Sequence, residues 1–199
     1  EPADERFIDL AYARWQTIFG PNSFPADDED VTAEQLGAVD HLVKTEQNIY
    51  MDFCIWGPHG LRILKRMRMM GACFNRDGSI QNIEIKGPPD FDTWSSCWKV
   101  LQTACILLDI CDLGTLIMYH DKIARYHARF GPSCWLLIYQ ADVRARLELF
   151  PKTKRNLSIA HARATATGHT TDYVAARPWD AVFKDVTAKT QWWCEELEQ

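Results

Sequence analysis

The strongest constraint on the fold is a helical spacing of apolar residues in the second half of the chain. Between residues 91 and 111 the large side chains recur at steps of three and four: Trp94, Trp98, Leu101, Cys105 and Leu108. Such steps place side chains on one face of an α-helix. The same spacing recurs over Leu113–Phe130, where Gly131-Pro132 ends it. We therefore expect consecutive helices packed around a shared apolar core.

Further helices are predicted by the same criteria over residues 4–19, 61–70, 134–150, 151–163 and 179–197. Thr32 and Gln35 have the spacing of a capping box, which predicts another helix start, and Asp92 is a candidate cap for the helix over 91–111. The inward positions of the helix over 134–150 are predicted to be Leu136, Tyr139, Val143, Leu147 and Phe150. A strand over residues 135–139 is the alternative, and residues 49–56 favour a buried strand or extended segment.

One β-hairpin interrupts the helical pattern. The sequence Asn75-Arg76-Asp77-Gly78 is typical of a tight turn, and residues 72–74 and 80–86 on either side favour strands. We predict a mainly α fold, a single-core helical domain over residues 1–199 with this small hairpin. It comprises an acidic helical part (1–59), a hairpin region (60–89) and a helical, locally basic part (90–199).

Composition indicates an ordinary globular chain. Of the 199 residues, 47% are hydrophobic and 25% charged, and no apolar run reaches the roughly 18 residues that span a bilayer. The seven cysteines are odd in number and form no CxxC pair, which predicts free thiols and an intracellular location. No zinc-ligand spacing or phosphate-binding glycine pattern occurs, so no metal or cofactor is expected. Because the chain begins at Glu1, we expect it to be part of a longer polypeptide.

Charge is distributed unevenly along the chain. Residues 1–59 carry a net charge of −9, residues 60–163 a net charge of +7 and residues 164–199 a net charge of −3. Helical spacing places Arg62, Lys65 and Arg66 on one face and Lys122, Arg125 and Arg129 on another. Arg144 and Arg146 follow along the chain. The predicted nucleic-acid-binding residues are Arg62, Lys65, Arg66, Lys122, Arg125, Arg129, Lys152, Lys154 and Arg155. Aligned faces would neutralise the phosphates of RNA or single-stranded DNA; separately solvated helix faces are the alternative.

A divalent-metal nuclease is an alternative function that one motif favours. Glu84 and Lys86 alternate along the second strand, so both side chains lie on one face. With Asp77 upstream, the carboxylates would hold a divalent ion while Lys86 steadies an attacking water. A solvated hairpin with a backbone role for Asp77 explains the same residues.

The adjacent pair Trp192 and Trp193 indicates a contact surface. Neighbouring residues on a helix diverge by about 100°, so both rings cannot face one core. One of them is therefore predicted to serve a protein partner or self-association into a homo-oligomer.

Several stretches resemble an uncharacterised domain of dinoflagellate mobile-element polyproteins. The strings that carry the resemblance are Arg14-Trp15, Ile18-Phe19-Gly20, Thr32-Ala33-Glu34-Gln35-Leu36, Asp52-Phe53-Cys54-Ile55-Trp56-Gly57-Pro58, Gly131-Pro132-Ser133-Cys134-Trp135, Tyr139-Gln140-Ala141-Asp142-Val143-Arg144 and Arg177-Pro178-Trp179-Asp180. The resemblance implies a Gag-like position upstream of a Cys/His-rich finger. It therefore favours a non-enzymatic assembly or nucleic-acid-associated module; a protein–protein interaction domain is a further alternative.

Overall fold

Helices dominate the computed structural model, which describes residues 2–50, 52–53, 56–57 and 68–197. The α-helices are α1 (Glu5–Phe19), α2 (Ala33–Lys44), α3 (Phe91–Leu107), α4 (Leu113–Phe130), α5 (Trp135–Arg144), α6 (Phe150–Ala166), α7 (Pro178–Ala188) and α8 (Thr190–Leu197). Strands β1 (Arg68–Phe74) and β2 (Ile80–Lys86) form one antiparallel pair. The prediction of a mainly α fold with a small hairpin is confirmed.

The first two helices begin at the polar residues that the sequence indicates. The Asp4 carboxylate accepts a hydrogen bond of 2.8 Å from the Phe7 amide at the start of α1. At α2 the Thr32 hydroxyl accepts from the Gln35 amide, and the Gln35 side chain accepts from the Thr32 amide. These bonds satisfy amides that have no partner within their own helix. The capping box is therefore confirmed.

The hairpin is longer than the sequence predicts. Arg68 to Met70 were expected in a helix over residues 61–70, but they lie in β1 and pair with β2 as far as Arg68 opposite Lys86. The hydrogen bonds of this ladder outweigh a local helical preference. Residues 61–67, which include Arg62, Lys65 and Arg66, lie outside the described part. The predicted turn is confirmed: the Gly78 amide donates to the Asn75 carbonyl at 3.0 Å.

Helix α3 begins at the predicted Phe91, but its capping residue and its end differ from the prediction. Asp90, rather than Asp92, accepts the capping hydrogen bond from the Thr93 amide at 2.7 Å. The helix stops at Leu107, and Asp109 takes a positive φ of 55° in the short connection to α4. Trp94 and Trp98 of α3 are fully buried, and the Tyr119 ring of α4 stacks on Trp98. These three rings form the centre of the core.

A π turn over Ala145–Leu149 joins α5 and α6 into one continuous helical segment. Pro151 has no amide hydrogen to donate to the Leu147 carbonyl four residues earlier, so a regular helix cannot pass this point undistorted. Instead the Phe150 amide donates to the Ala145 carbonyl, five residues back. Residues 135–139 are therefore helical and not a strand. The extra residue also changes the helix face, and Leu147, predicted to point inward, is 45% exposed.

The predicted helix over residues 179–197 is two helices. Lys189, with a ψ of 62°, ends α7, and α8 begins at the next residue. The buried apolar residues of the described part belong to one cluster, which includes Ile49, Phe53 and Trp56. No described residue of 49–56 lies in a strand, and residues 51, 54 and 55 are outside the described part. None of the described helices is long and apolar enough to cross a membrane.

Candidate nucleic-acid interface

Helix α6 is the most one-sidedly charged element of the described structure. It contains four basic residues and no acidic residue, and only Phe150 and Thr153 are buried. Five of its exposed residues are Lys152 and those three, four, seven and eleven positions after it, a spacing that places these five on one helix face. We call this face the α6 ridge; its members are Lys152, Arg155, Asn156, Ile159 and Arg163.

The cations of the α6 ridge are unpaired, in contrast to many others on the surface. Cations elsewhere hold carboxylates, as in the pairs Arg68–Glu84 at 2.7 Å and Lys99–Glu29 at 2.5 Å. Within the described part of the chain, the side chains of Lys152, Arg155 and Arg163 make no hydrogen bond or ion pair. An unpaired surface cation can bind an incoming phosphate without first breaking a salt bridge. The ridge is therefore available to an anionic ligand.

A groove between α6 and α8 lies beside the ridge. Its volume is about 360 Å³. We call it the α6–α8 groove; its lining residues are Leu149, Lys152, Thr153, Asn156, Lys189, Gln191, Trp192 and Glu195. The structure thus brings Lys152 and Trp192, which the sequence singled out for separate reasons, into one site.

Polar contacts hold the walls of the α6–α8 groove in place. The Lys189 ammonium donates to the Thr153 hydroxyl at 3.0 Å and also pairs with Asp185. The Gln191 amide donates to Glu195 at 2.8 Å, which holds this carboxylate against the α8 wall of the groove. Trp192 is half-buried, whereas Trp193 is fully buried and donates its indole N–H to the Val186 carbonyl. The groove therefore presents an indole ring beside Lys152, Lys189 and two amides, with Glu195 as its one carboxylate among the described lining residues.

The basic residues of α4 meet one end of this groove. Lys122 donates to the hydroxyl of Thr190 at 3.4 Å, and Thr190 directly precedes Gln191 of the groove. Burial, together with the neighbouring Arg125, lowers the pKa of Lys122. Arg125 and Arg129 are exposed on the same helix. Helix α7 packs against both α4 and α6, and Lys122 is the residue of the α4 basic face that a contact places at the α7–α8 junction.

Two further predicted basic residues do not belong to this surface. Arg144 pairs with Glu148 and Glu196. Arg146 was expected in the basic stretch, but it is 2% exposed and binds Asp142 in the core. Charge along the sequence did not reveal this difference, although Arg146 stands one helical turn after the buried Asp142.

Lys154 projects away from the ridge. Its ammonium donates to the Glu46 carbonyl at 3.1 Å and lies 5.0 Å from the centre of the Trp179 ring. Lys154 therefore faces a second cavity, on the α2 side of α6, and is not part of the α6–α8 groove.

The hairpin does not bring the predicted nuclease residues together. Asp77 lies in the turn, where Ser79 binds its carboxylate through both amide and hydroxyl, and these bonds lower its pKa. Glu84 lies four residues beyond Ile80 along β2, a distance of about 13 Å, and pairs with Arg68. Metal ligands must reach one ion at roughly 2.0–2.6 Å, so Asp77 and Glu84 cannot share it. Among the described residues, no group of three or more His, Cys, Asp or Glu is arranged to hold a metal ion.

The three residue types of a hydrolytic triad lie together between α3 and α4: Ser95, His120 and Asp121. The backbone around Ser95 does not provide the free amides that such a triad uses. The Ser95 hydroxyl lies 2.8 Å from His120 Nε2, and the Asp121 carboxylate is 3.6 Å from Nδ1. Ser95 lies within α3, where backbone amides bind earlier carbonyls of the helix and are not free to form an oxyanion hole. The His120 ring also stacks on Trp94. The arrangement therefore indicates a packing contact between α3 and α4.

Comparison with known proteins gives no independent assignment. No family description, curated protein or solved structure matches the chain.

Proposed function

We propose that the chain is a non-enzymatic, intracellular module that binds single-stranded RNA or DNA along the α6 ridge and the adjoining α6–α8 groove. The observation that supports this proposal is the acid-free α6 helix, whose unpaired cations flank a groove containing Trp192. The resemblance to a Gag-like polyprotein domain points in the same direction.

The proposed contacts divide into phosphate binding and base stacking. Lys152, Arg155 and Arg163 would neutralise successive phosphates of a strand that follows the ridge. The ring of Trp192 would stack on one base, a contact that typically contributes about 1–3 kcal/mol and tolerates any base. Asn156 and Gln191 offer amides to base edges without fixing the sequence. We therefore expect a preference for single strands with little sequence specificity.

Salt dependence tests the phosphate contacts. With three phosphates neutralised, the logarithm of the association constant should fall with the logarithm of salt concentration with a slope of about −2. Affinity for a labelled oligouridine would then drop roughly 20-fold between 50 and 200 mM salt. Fluorescence anisotropy measures this directly. The triple variant Lys152→Glu, Arg155→Glu and Arg163→Glu should lose binding even at 50 mM salt.

Matched single variants distinguish binding at the α6 ridge from general electrostatic attraction to the protein. Arg155 and Arg76 are both exposed, and neither side chain has a described partner, but Arg76 lies in the hairpin turn. Arg155→Glu should weaken binding far more than Arg76→Glu. Equal losses would show that net charge alone drives association, and the ridge would then have no special role.

The variant Trp192→Ala tests stacking, with the exposed aromatic residue Phe24 as a control. Loss of one stacked base predicts at least a fivefold drop in affinity, which Phe24→Ala should not reproduce. If Trp192→Ala instead changes the oligomeric state in analytical ultracentrifugation and leaves RNA affinity intact, the protein-interaction alternative is favoured.

A further inference from the structure

A second and larger cavity lies on the other side of α6 from the α6–α8 groove. It occupies about 710 Å³ between the end of α2, the following residues to Asn48, α6 and the segment that leads into α7. This size falls within the range of small-molecule sites, about 300–1,000 Å³. We call this cavity the α2–α6 cleft.

Three cations converge on the α2–α6 cleft from two elements. Lys44 comes from the end of α2, and Lys154 and Arg155 come from α6. Glu46 is the one carboxylate among the described lining residues, and its backbone carbonyl accepts from Lys154. The Lys44 ammonium pairs with Asp40 at 2.6 Å and lies 5.3 Å from the centre of the Phe7 ring, and neither of these partners lines the cleft. The lining therefore has an excess of positive charge, which favours a phosphate group.

The other polar groups suit the remainder of a nucleotide. Asn48 donates its amide to the Arg146 carbonyl at 2.8 Å, but its buried Oδ1 has no donor among the described residues. A buried acceptor without a donor is costly, and a ligand N–H or O–H would satisfy it. Ser158 adds an exposed hydroxyl, and Tyr173 adds a half-buried ring at the wall. Phosphate-binding cations, an orphan acceptor and an aromatic ring thus line one cavity.

We propose that the α2–α6 cleft binds a nucleoside 5′-phosphate. Lys44, Lys154 and Arg155 bind the phosphate, the base lies against Tyr173, and Asn48 accepts from a hydroxyl or base N–H. The two cavities open on opposite sides of α6 and share no lining residue, but Arg155 of the α6 ridge also lines the cleft. The two sites are therefore distinguished by Lys44 and Lys154 on one side of α6 and by Lys152 and Trp192 on the other. A free nucleotide and the 5′-phosphorylated end of a strand present the same chemistry to it.

Isothermal titration with 5′-AMP tests the proposal, with adenosine and inorganic phosphate as the component ligands. We expect saturable AMP binding that is at least tenfold tighter than binding of either component. Lys154→Gln should weaken AMP binding at least tenfold, whereas Lys152→Gln, two residues away on the other side of α6, should change it less than twofold. Absence of saturable AMP binding, equal effects of the two variants, or phosphate binding as tightly as AMP would overturn the proposal.

Two further variants guard against misfolding, since Lys154 also packs on Trp179. Lys44→Gln changes an exposed side chain, and Ser158→Tyr fills the cleft from an exposed helix position; each should reduce AMP binding at least fivefold without changing the circular dichroism spectrum. Retained AMP affinity in both would overturn the site.

Displacement of AMP by a 5′-phosphorylated oligonucleotide but not by its 5′-hydroxyl form would assign the ligand to a strand end. AMP binding without such displacement would assign it to a free nucleotide. The RNA affinity of the ridge should follow Lys152 and not Lys44, so failure of one site is distinguishable from failure of the other.

Discussion

The substitution Asp142→Asn removes the negative charge from a fully buried ion pair. The Asp142 carboxylate accepts from Arg146 Nε at 3.0 Å and from its terminal nitrogen at 2.6 Å. It also accepts from the Tyr119 hydroxyl at 2.8 Å and the Trp94 indole at 3.0 Å. Burial by itself would lower the pKa of Arg146, but the charge and hydrogen bonds of Asp142 raise it. Asp142 therefore supplies the counter-charge for Arg146 in the core.

The expected loss is large because the perturbation leaves a charge without its counter-ion. Asn is nearly the same size as Asp, so no cavity forms, and the effect is electrostatic. One of its two terminal atoms becomes a donor and faces donors from Arg146, Tyr119 or Trp94. Removing one partner of a buried pair typically costs about 3–5 kcal/mol, while the whole free energy of unfolding of a domain is about 5–15 kcal/mol. We expect Asp142→Asn to lose a similar 3–5 kcal/mol.

Urea denaturation monitored by circular dichroism measures this loss. The double variant Asp142→Asn with Arg146→Met removes both charges, so it should be more stable than Asp142→Asn alone. A loss below about 1 kcal/mol in the single variant would refute the reasoning, because it would mean that water or another group compensates Arg146. Failure of the double variant to recover stability would show that hydrogen bonds, and not charge, dominate.

Three other changes test separate parts of the fold by the same denaturation assay. Asn48→Ala should cost about 1–3 kcal/mol because it leaves the Arg146 carbonyl without its donor; an unchanged midpoint would contradict this. Gly87→Ala should cost about 3 kcal/mol or more, since a Cβ there would lie 2.3 Å from the Tyr139 ring, and Gly78→Ala, also at positive φ but in open space, should cost about 1 kcal/mol. Burial lowers the pKa of His120, so below pH 6.5 the unfolded chain takes up a proton first and stability falls. His120→Gln should therefore lose less stability than the wild-type chain between pH 7.5 and 5.5, and an identical loss would exclude this contribution.

Local patterns predicted the helices whose ends carry strong signals. Helix α4 runs over the predicted Leu113–Phe130, because a long amphipathic pattern is closed by Gly131-Pro132. The capping box at Thr32 is equally local, since donor and acceptor lie three residues apart. Both features depend on neighbours in the sequence, so no knowledge of tertiary packing was needed to find them.

Contacts between residues that are distant in the sequence determine the features that local patterns predicted wrongly or did not reveal. Arg68 to Met70 form a strand because β2 supplies hydrogen bonds as far as Lys86, a partner more than fifteen residues away. Trp192 and Lys152 were predicted as separate functional residues, and the groove that joins them exists only because α8 packs beside α6. The roles of Lys189 and Gln191 were missed for the same reason. Asn156 was also missed, although it lies on the acid-free helix α6.

The π turn connects the core to the candidate interface. Residues 138, 142 and 145 lie on the buried face of α5. If α5 continued as a regular α-helix, the same face would include residues 152, 156 and 163, so these residues would point inward. That face would bury two cations of the α6 ridge. One inserted residue rotates the following helix by about 100°, so Phe150 and Thr153 face the core and Lys152 and Arg163 face solvent. The same insertion frees the Arg146 carbonyl for Asn48, while Arg146 itself already stands one helical turn after the buried Asp142. The freed Arg146 carbonyl and the exposed basic ridge are thus two consequences of a single helix distortion, for which Pro151 provides the physical reason.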